Sequence, residues 1–299
     1  MSGRQVLQVG AFRVLSLPMT EWLINGARTH SLPADDRGLA YGDGLFETMA
    51  VRDGELRFAA AHFSRLAKGC ARLGIAYPGT GLLLAEAAEI VTGYQTATLK
   101  IIVTRGPGKR GYAADNSVKP TRLLGISSAA VYPLTYYADG IALRWCTTIA
   151  SQNSSLAGLK SLNRLEHVLA RSEWSDTDTQ EGLMCDDSGH VISGCMSNLF
   201  VVSQGELLTP SMEHSGIRGT MRQRVIDLWR NAGGVSRETR LSKDAVSGAD
   251  ELFLTNALIG LWPVSSLAGN AYLVGPLTRR LMAMLAEAGV SECAAGDTV

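Results

Sequence analysis

The sequence predicts an α+β fold built in two successive parts, and three kinds of observation predict it. β-branched and apolar runs such as TLKIIVTR (98–105) and TRLLGISSAAV (121–131) read as strands. The dipeptides Asn25-Gly26 and Asp53-Gly54 sit between such runs and read as hairpin turns. Stretches with apolar residues three and four apart, closed by glycine, read as helices.

Taken in order, EWLINGARTHSLPADD (21–36) is a short hairpin, and GLFETMAVRDGELRF (44–58) is a longer one. A helix follows with Phe63, Leu66, Cys70 and Leu73 in a stripe and Gly74 as its stop. A second helix covers roughly Leu82 to Val91, before the strands at 98–105 and 121–131. YPLTYYADG (132–140), with a proline, few charges and a closing glycine, is the expected linker. The second half opens with the strand IALRWCTT. Next comes a helix with Leu162, Leu165, Val168 and Leu169 in a stripe and Ser161 as the expected N-cap. EGLMCDD with HVISG, and NLFVV with ELLTP, read as strand pairs turning at Ser188-Gly189 and Gly205. SGIRGTMRQRVIDLWRNAG enters a helix with Met221, Val225, Leu228 and Trp229 on one face. DELFLTNAL is a strand, and a last helix runs from Pro276 to Gly289 with Leu277, Leu281, Met284 and Leu285 inward. The expected organisation is an extension over 1–18, a small α+β domain over 19–131, the linker, and a larger domain over 141–299.

The composition excludes several classes. An apolar fraction of 46% over 299 residues supports a substantial core. The 28 basic and 28 acidic residues balance, which argues against nucleic-acid binding or attachment to a membrane surface. No run of about 20 apolar residues predicts a membrane span. The N-terminal stretch lacks a signal-peptide core and cleavage site, and MTEWLINGART from Met19 reads as a natural beginning. Five cysteines without CxxC spacing read as free thiols in a reducing cytoplasm. Five scattered histidines argue against a metal centre.

Four features carry chemistry. Lys160 stands before a helix, where the positive end of the helix dipole is a poor place for a second cation. A loop lysine is the ordinary reading. The sharper one is an amine kept partly neutral, able to act as nucleophile and base. In SGIRGTMRQ (215–223) two glycines precede a helix start, a geometry that suits a phosphate. Arg65 lies off its helix's apolar stripe, on a face with His62 and Gly69, and is either solvated or aimed at an anion. Arg105 and Arg110, at a strand end and in the following loop, are either surface groups or binders of substrate carboxylates. GPGKRG (106–111) lacks the G-x4-G-K-[ST] pattern and opens no helix, so no nucleotide site is read there.

DRGLAYGDGLFET, HFSRL, VTRGPGKRGY, LAGLKSLNRLE, SNLF, GIRGTMRQ and TNAL occur in this order along the chain. Together they resemble the fold type IV enzymes that use pyridoxal phosphate, and within these the aminodeoxychorismate lyases. The resemblance runs from about Trp22 to near Leu285. It implies a small α+β domain, a larger barrel-like domain, the cofactor between them, and a homodimer acting on a small-molecule substrate. The implied reaction converts 4-amino-4-deoxychorismate to 4-aminobenzoate and pyruvate.

Residue by residue, the resemblance implies that Lys160 carries pyridoxal 5′-phosphate and moves protons. It implies that Arg65 binds the phosphate with Thr220 and Met221, and that Asn256 lies near it. Arg105 and Arg110 are the implied candidates for substrate carboxylates. Two positions depart from the pattern. Leu165 stands where aminotransferases of this fold commonly carry a tyrosine. Ser193, in VISGCMSNLF, stands where the family has a glutamate for the pyridine nitrogen. A branched-chain or D-amino acid aminotransferase, and a non-catalytic relative, are the alternative readings.

Overall fold

The computed structural model of the chain describes residues 21–115 and 117–297. The expected extension over 1–18 lies outside the described residues. The first half runs β1 (Glu21–Ile24), β2 (Ala27–Arg28), α1 (Arg37–Tyr41), β3 (Gly44–Arg52), β4 (Glu55–Leu56), α2 (Ala59–Leu73), α3 (Thr80–Val91), β5 (Thr96–Thr104) and β6 (Thr121–Ser128). Its six strands form one antiparallel sheet in the order β2-β1-β6-β5-β3-β4. β3 and β5 pair along their full length, from Gly44 opposite Thr104 to Arg52 opposite Thr96. Both expected hairpin turns form with two successive positive φ angles, at Asn25-Gly26 and Asp53-Gly54, as a tight two-residue loop requires. Phe63, Leu66 and Cys70 of α2 are buried on a core with Leu45, Met49, Leu99 and Ile101. Gly74 ends that helix in the left-handed region.

The second half runs α4 (Thr135–Ala138), β7 (Ile141–Trp145), α5 (Leu165–Arg171), β8 (Glu181–Cys185), β9 (His190–Gly194), β10 (Asn198–Ser203), β11 (Glu206–Pro210), α6 (Thr220–Asn231), β12 (Ser236–Thr239), β13 (Leu241–Ser242), α7 (Lys243–Ser247), β14 (Glu251–Asn256), β15 (Gly260–Leu267), β16 (Asn270–Ala271) and α8 (Pro276–Glu287). Its strands form a mixed sheet in the order β12-β11-β10-β14-β15-β7-β8-β9-β13, with β16 on β15. The sheet curls so that β9 also approaches β10 and β11. Its core stacks Phe200 on Phe253 and sets Tyr132, Tyr136 and Tyr137 edge-on around Trp262. Residues 132–140 therefore contain a short helix and pack their aromatic rings on this core.

Several local details differ from the sequence expectations. The helix after Lys160 begins at Leu165, and Ser161 is not its cap: Ser161 bridges Leu45 across to β3. The apolar stripe is largely open, with Leu165 78%, Val168 57% and Leu169 62% exposed and Leu162, ahead of the helix, half-buried. On α6 the buried face is Met221, Arg222, Val225, Ile226 and Trp229, with Leu228 only partly covered. The strand β15, absent from the sequence reading, is interrupted in pattern by Pro263, which sits opposite Phe253.

Candidate active site

A cavity of about 360 Å³ lies between the two sheets. Its walls come from β3 (Phe46, Thr48), α2 (Arg65), the turn after β9, the start of α6 and the end of β14. Lys160, Ser193, Thr220, Met221 and Asn256, expected from the sequence, all line it with Arg65. They come from separate parts of the chain, so the fold assembles them.

Lys160 is fixed by its backbone. Its carbonyl accepts a hydrogen bond from Phe46 N–H (3.0 Å), and Leu162 N–H donates to Gly44 O (3.0 Å). Gly158 pairs with Ile217 on the other side. The segment 158–162 is thus clamped between β3 and the loop before α6. The Lys160 ammonium nitrogen lies 4.1 Å from the centre of the Phe46 ring. Its pKa is lowered from 10.5 to about 7. Burial is the largest cause, and the positive charges of Arg65, Arg164 and Lys100 act in the same direction against Glu47. The helix that follows begins only at Leu165, so Lys160 does not stand directly at its start.

The opposite wall is built for an anion. α6 starts at Thr220 behind Gly219, which has no side chain to cap the first turn. Its first N–H groups and the positive end of its dipole point outward. A side chain at 219 would strike Asn198 Oδ1, so glycine keeps this approach open. Arg65 is held by Glu47 through Nε (2.8 Å) and Nη2 (2.5 Å), and by the carbonyl of Arg218 through Nη1 (3.0 Å). Glu47 is buried and also accepts from His62 Nδ1 (2.7 Å), whose Nε2 lies 3.3 Å from Thr220 Oγ1. Burial alone would raise the Glu47 pKa. The bonds and charge of Arg65, with His62, outweigh that and hold it below the ordinary value.

Ser193 lies on β9 opposite Met184 and is nearly fully buried. Asn256 Oδ1 accepts from the N–H groups of Leu258 and Ile259 (2.9 Å each), and its Nδ2 donates to Met196 O (3.2 Å). Its visible bonds shape the 256–259 turn and tie it to the 195–197 turn.

Arg105 and Arg110, expected to meet the substrate, do not line this cavity. Arg105 donates to both Asp43 oxygens (2.7 and 3.1 Å) and to the carbonyls of Leu73 and Gly74. Both arginines border a separate cavity of about 480 Å³ with Arg37 and Lys109. The pairing with Asp43 is long-range, which the local sequence could not reveal.

The sequence reading also missed residues that the fold brings in. Arg164 and His167 line the cavity, three positions apart across the start of α5. Glu181 lies fully buried beneath the turn after β9. Its carboxylate accepts from the N–H groups of Gly182, Cys195 and Met196 and from Ser197 Oγ, at 2.9–3.1 Å. Burial pushes its pKa up against these donors. The i, i+3 spacing of Arg164 and His167 was a visible signal, whereas Glu181 had none.

The family model for aminotransferase class IV matches residues 44–267. The crystal structure of 4-amino-4-deoxychorismate lyase from Pseudomonas aeruginosa superposes with a TM-score of 0.87 at 40% identity, covering 90% of this chain and 99% of that one. The aminodeoxychorismate lyase of Vibrio harveyi is 31% identical over 266 residues, which is 88% of this chain and 98% of that protein. The D-alanine aminotransferase of Bacillus licheniformis is 27% identical, over 87% of this chain and 92% of that protein. With the lysine, the arginine and the open helix start all facing one cavity between the sheets, the chain belongs to the aminotransferase class IV family, a fold type IV family whose cofactor is pyridoxal phosphate.

Proposed function

We propose that the protein is a lyase that uses pyridoxal 5′-phosphate to convert 4-amino-4-deoxychorismate to 4-aminobenzoate and pyruvate. The observation that carries this is Lys160: a cavity-facing amine with a pKa of about 7, across from an uncapped helix start and Arg65. The similarity to the Pseudomonas and Vibrio lyases over most of the chain supports the choice of reaction.

The residues present fit the cofactor. The N–H groups at Thr220 and Met221, with the Arg65 guanidinium, are suited to its phosphate. A largely neutral Lys160 is suited to its aldehyde. Ser193 lines the cavity and would offer its hydroxyl to the ring nitrogen, and Asn256 holds the 256–259 turn in the cavity wall. Bound there, pyridoxal phosphate supplies an electron sink for the carbon that bears the substrate amine. Lys160 removes the proton from that carbon, and the enolpyruvyl C–O bond breaks. The ring becomes aromatic, and the enolpyruvyl group leaves as the enolate, which takes up a proton at its methylene carbon to become pyruvate. No tyrosine enters at the position of Leu165, whose side chain is exposed outside the cavity.

We read the two sheets, each with its own core, as two domains, 19–131 and 141–299, with 132–140 between them. The open face of Leu165, Val168 and Leu169 beside the cavity supports a homodimer that covers it. The five unbridged cysteines support a reducing, cytoplasmic setting. No described helix is long and apolar enough to cross a membrane.

The test is direct. The purified, cofactor-loaded protein is given aminodeoxychorismate, and 4-aminobenzoate is measured by chromatography. Borohydride reduction is expected to fix the phosphopyridoxyl group on Lys160, and Lys160→Ala is expected to abolish turnover. A loaded protein that makes no 4-aminobenzoate, or an adduct at another lysine, rejects the assignment.

A further inference from the structure

Arg65, Lys160 and Arg164 are the cavity-lining side chains that carry positive charge in their ordinary state, and they are not equivalent. Arg65 is paired with buried Glu47 at 2.5–2.8 Å. Lys160 is depressed to about 7 and is assigned to the cofactor above. Arg164 has no carboxylate within hydrogen-bond distance: Glu166 Oε1 is 4.0 Å from Nη1. Its bonds are to two neutral groups, from Nη2 to Ser161 Oγ (3.0 Å) and from Nη1 to His167 Nε2 (3.0 Å). Its Nε–H is buried without a partner. A guanidinium has five N–H donors, so several remain for a ligand.

His167 fixes how this fork is held. Its Nδ1 lies 2.8 Å from the carbonyl oxygen of Cys195. A carbonyl only accepts, so Nδ1 carries the proton, and Nε2 presents a lone pair to Arg164. Burial, reinforced by the charge of Arg164, lowers the His167 pKa and keeps the ring neutral. The neighbouring charged groups are Glu166, 3.6 Å from Nε2, and the cations Arg164 and Lys160. Protonation of His167 would remove the acceptor and set two cations face to face.

We propose that Arg164 is the anchor for a carboxylate of the substrate, and that His167 is a positioning residue that aims it into the cavity. The proposal rests on the lyase reading for the identity of the substrate, which carries one carboxylate on the ring and one on the enolpyruvyl group. A guanidinium is the side chain best matched to a planar carboxylate, through two parallel N–H donors. The site also explains selection. An amine lacking a carboxylate leaves Arg164 desolvated and unpaired, a penalty that a polar site imposes on the wrong ligand.

The test uses the cofactor-loaded protein as wild type, Arg164→Gln and Arg164→Lys, with His167→Gln and His167→Leu. Three quantities are read: pyridoxal phosphate affinity, equilibrium binding of 4-aminobenzoate against aniline, and kcat and KM for aminodeoxychorismate. Arg164→Gln is expected to raise KM about ten- to a hundredfold, the worth of a hydrogen bond to a charged group, with cofactor affinity unchanged. A parallel loss of 4-aminobenzoate binding, with aniline unaffected, assigns the ring carboxylate. A KM effect without it assigns the enolpyruvyl carboxylate. Arg164→Lys is expected to recover part of the loss. His167→Leu is expected to raise KM, and His167→Gln, which can donate to Cys195 O and accept from Arg164, to restore it. In wild type, KM is expected to rise as pH falls below the ordinary histidine range, and His167→Gln is expected to abolish that rise. Unchanged KM and 4-aminobenzoate affinity in Arg164→Gln overturns the proposal, as does a loss confined to cofactor affinity. If wild type makes no 4-aminobenzoate, yet Arg164→Gln loses affinity for it relative to aniline, the lyase reading fails and the carboxylate anchor stands.

Discussion

The acidity of Lys160 is the property that most directly ties this structure to chemistry. At pH 7.5 an amine with the ordinary value of 10.5 is about 0.1% neutral, whereas one at about 7 is about three-quarters neutral. Burial is the dominant cause, so the amine should remain depressed even when its charged neighbours are changed. Replacing Arg65 by methionine removes the largest repulsive charge and is expected to raise the Lys160 pKa without returning it to 10.5. Replacing Glu47 by glutamine removes the one attractive charge and is expected to lower it. The assay is attachment of pyridoxal phosphate to the cofactor-free protein, trapped with cyanoborohydride and mapped by mass spectrometry over pH 5.5–10. The rate is expected to climb about tenfold per pH unit below 7 and to level off above it, because only the neutral amine reacts. Linkage adds an independent readout. The unfolded chain binds this proton up to about pH 10.5 and the folded chain only up to about 7. Lys160 therefore makes the cofactor-free fold more stable as pH rises from 7 to 10.5 and contributes no slope below 7. An inflection near 10, or first reaction at Lys100 or Lys243, would refute the reasoning.

Arg65→Ala is expected to weaken cofactor binding about ten- to a hundredfold with the fold intact, read by spectral titration. Glu47→Ala breaks a buried pair from one side and is expected to cost about 3–5 kcal/mol of stability in denaturant unfolding, along with cofactor affinity. Because the Glu47 pKa is depressed, its stabilising contribution is present above the ordinary carboxylate value and lost as pH falls through the lower folded one. Val168→Glu combined with Leu169→Glu is expected to convert a dimer to a monomer in sedimentation, and an unchanged dimer would move the interface elsewhere. Ser193→Glu is expected to increase any side transamination, measured as conversion of an added keto acid to its amino acid, and equal rates in both proteins would remove the assigned role of Ser193.

The elements legible in the sequence were those specified by their own residues. Asn25-Gly26 and Asp53-Gly54 supply the left-handed angles their hairpins need, and Gly74 and Pro276 mark a helix end and start. What depends on distant partners was hidden. Pro263 disguised a strand held on both sides by β14 and β7. The stripe Leu165, Val168, Leu169 marked a helical face but carried no information about what covers it. Ser161 resembled a cap locally and instead pairs with Leu45, more than a hundred residues earlier. Within the site, Lys160, Arg65 and Thr220 stood in recognisable motifs and do line one cavity. Glu47 looked like one more residue of an alternating strand, and only its packing under α2 shows that it holds Arg65 and His62. Arg105, a candidate for a substrate carboxylate, is paired with Asp43 and lies outside this cavity's lining, a long-range arrangement that its own segment does not reveal.

Ser193 and Glu181 together bear on which reaction the site favours. The resemblance puts Ser193 where relatives carry a glutamate, so the proposed partner of the ring nitrogen is a neutral hydroxyl. A buried carboxylate, Glu181 at the start of β8, does lie beneath the turn that follows, but its observed bonds come from that turn, from Gly182 and from Ser197. Glu181 therefore braces the backbone at 195–197, which in turn holds His167 through Cys195 O and Asn256 through Met196 O. It does not line the cavity and supplies no direct partner to a ring bound there. A neutral partner lowers the pKa of the ring nitrogen and weakens the ring as an electron sink. Transamination depends on that sink, because the electrons left at the amine-bearing carbon must be held until a proton returns at another atom. Elimination depends on it less, since the leaving enolpyruvyl group carries the electron pair away and the ring gains aromaticity. On the proposed assignment of Ser193 to the ring, and with Glu181 committed to the scaffold, the site is biased toward the lyase reaction by the same residue that departs from the family pattern.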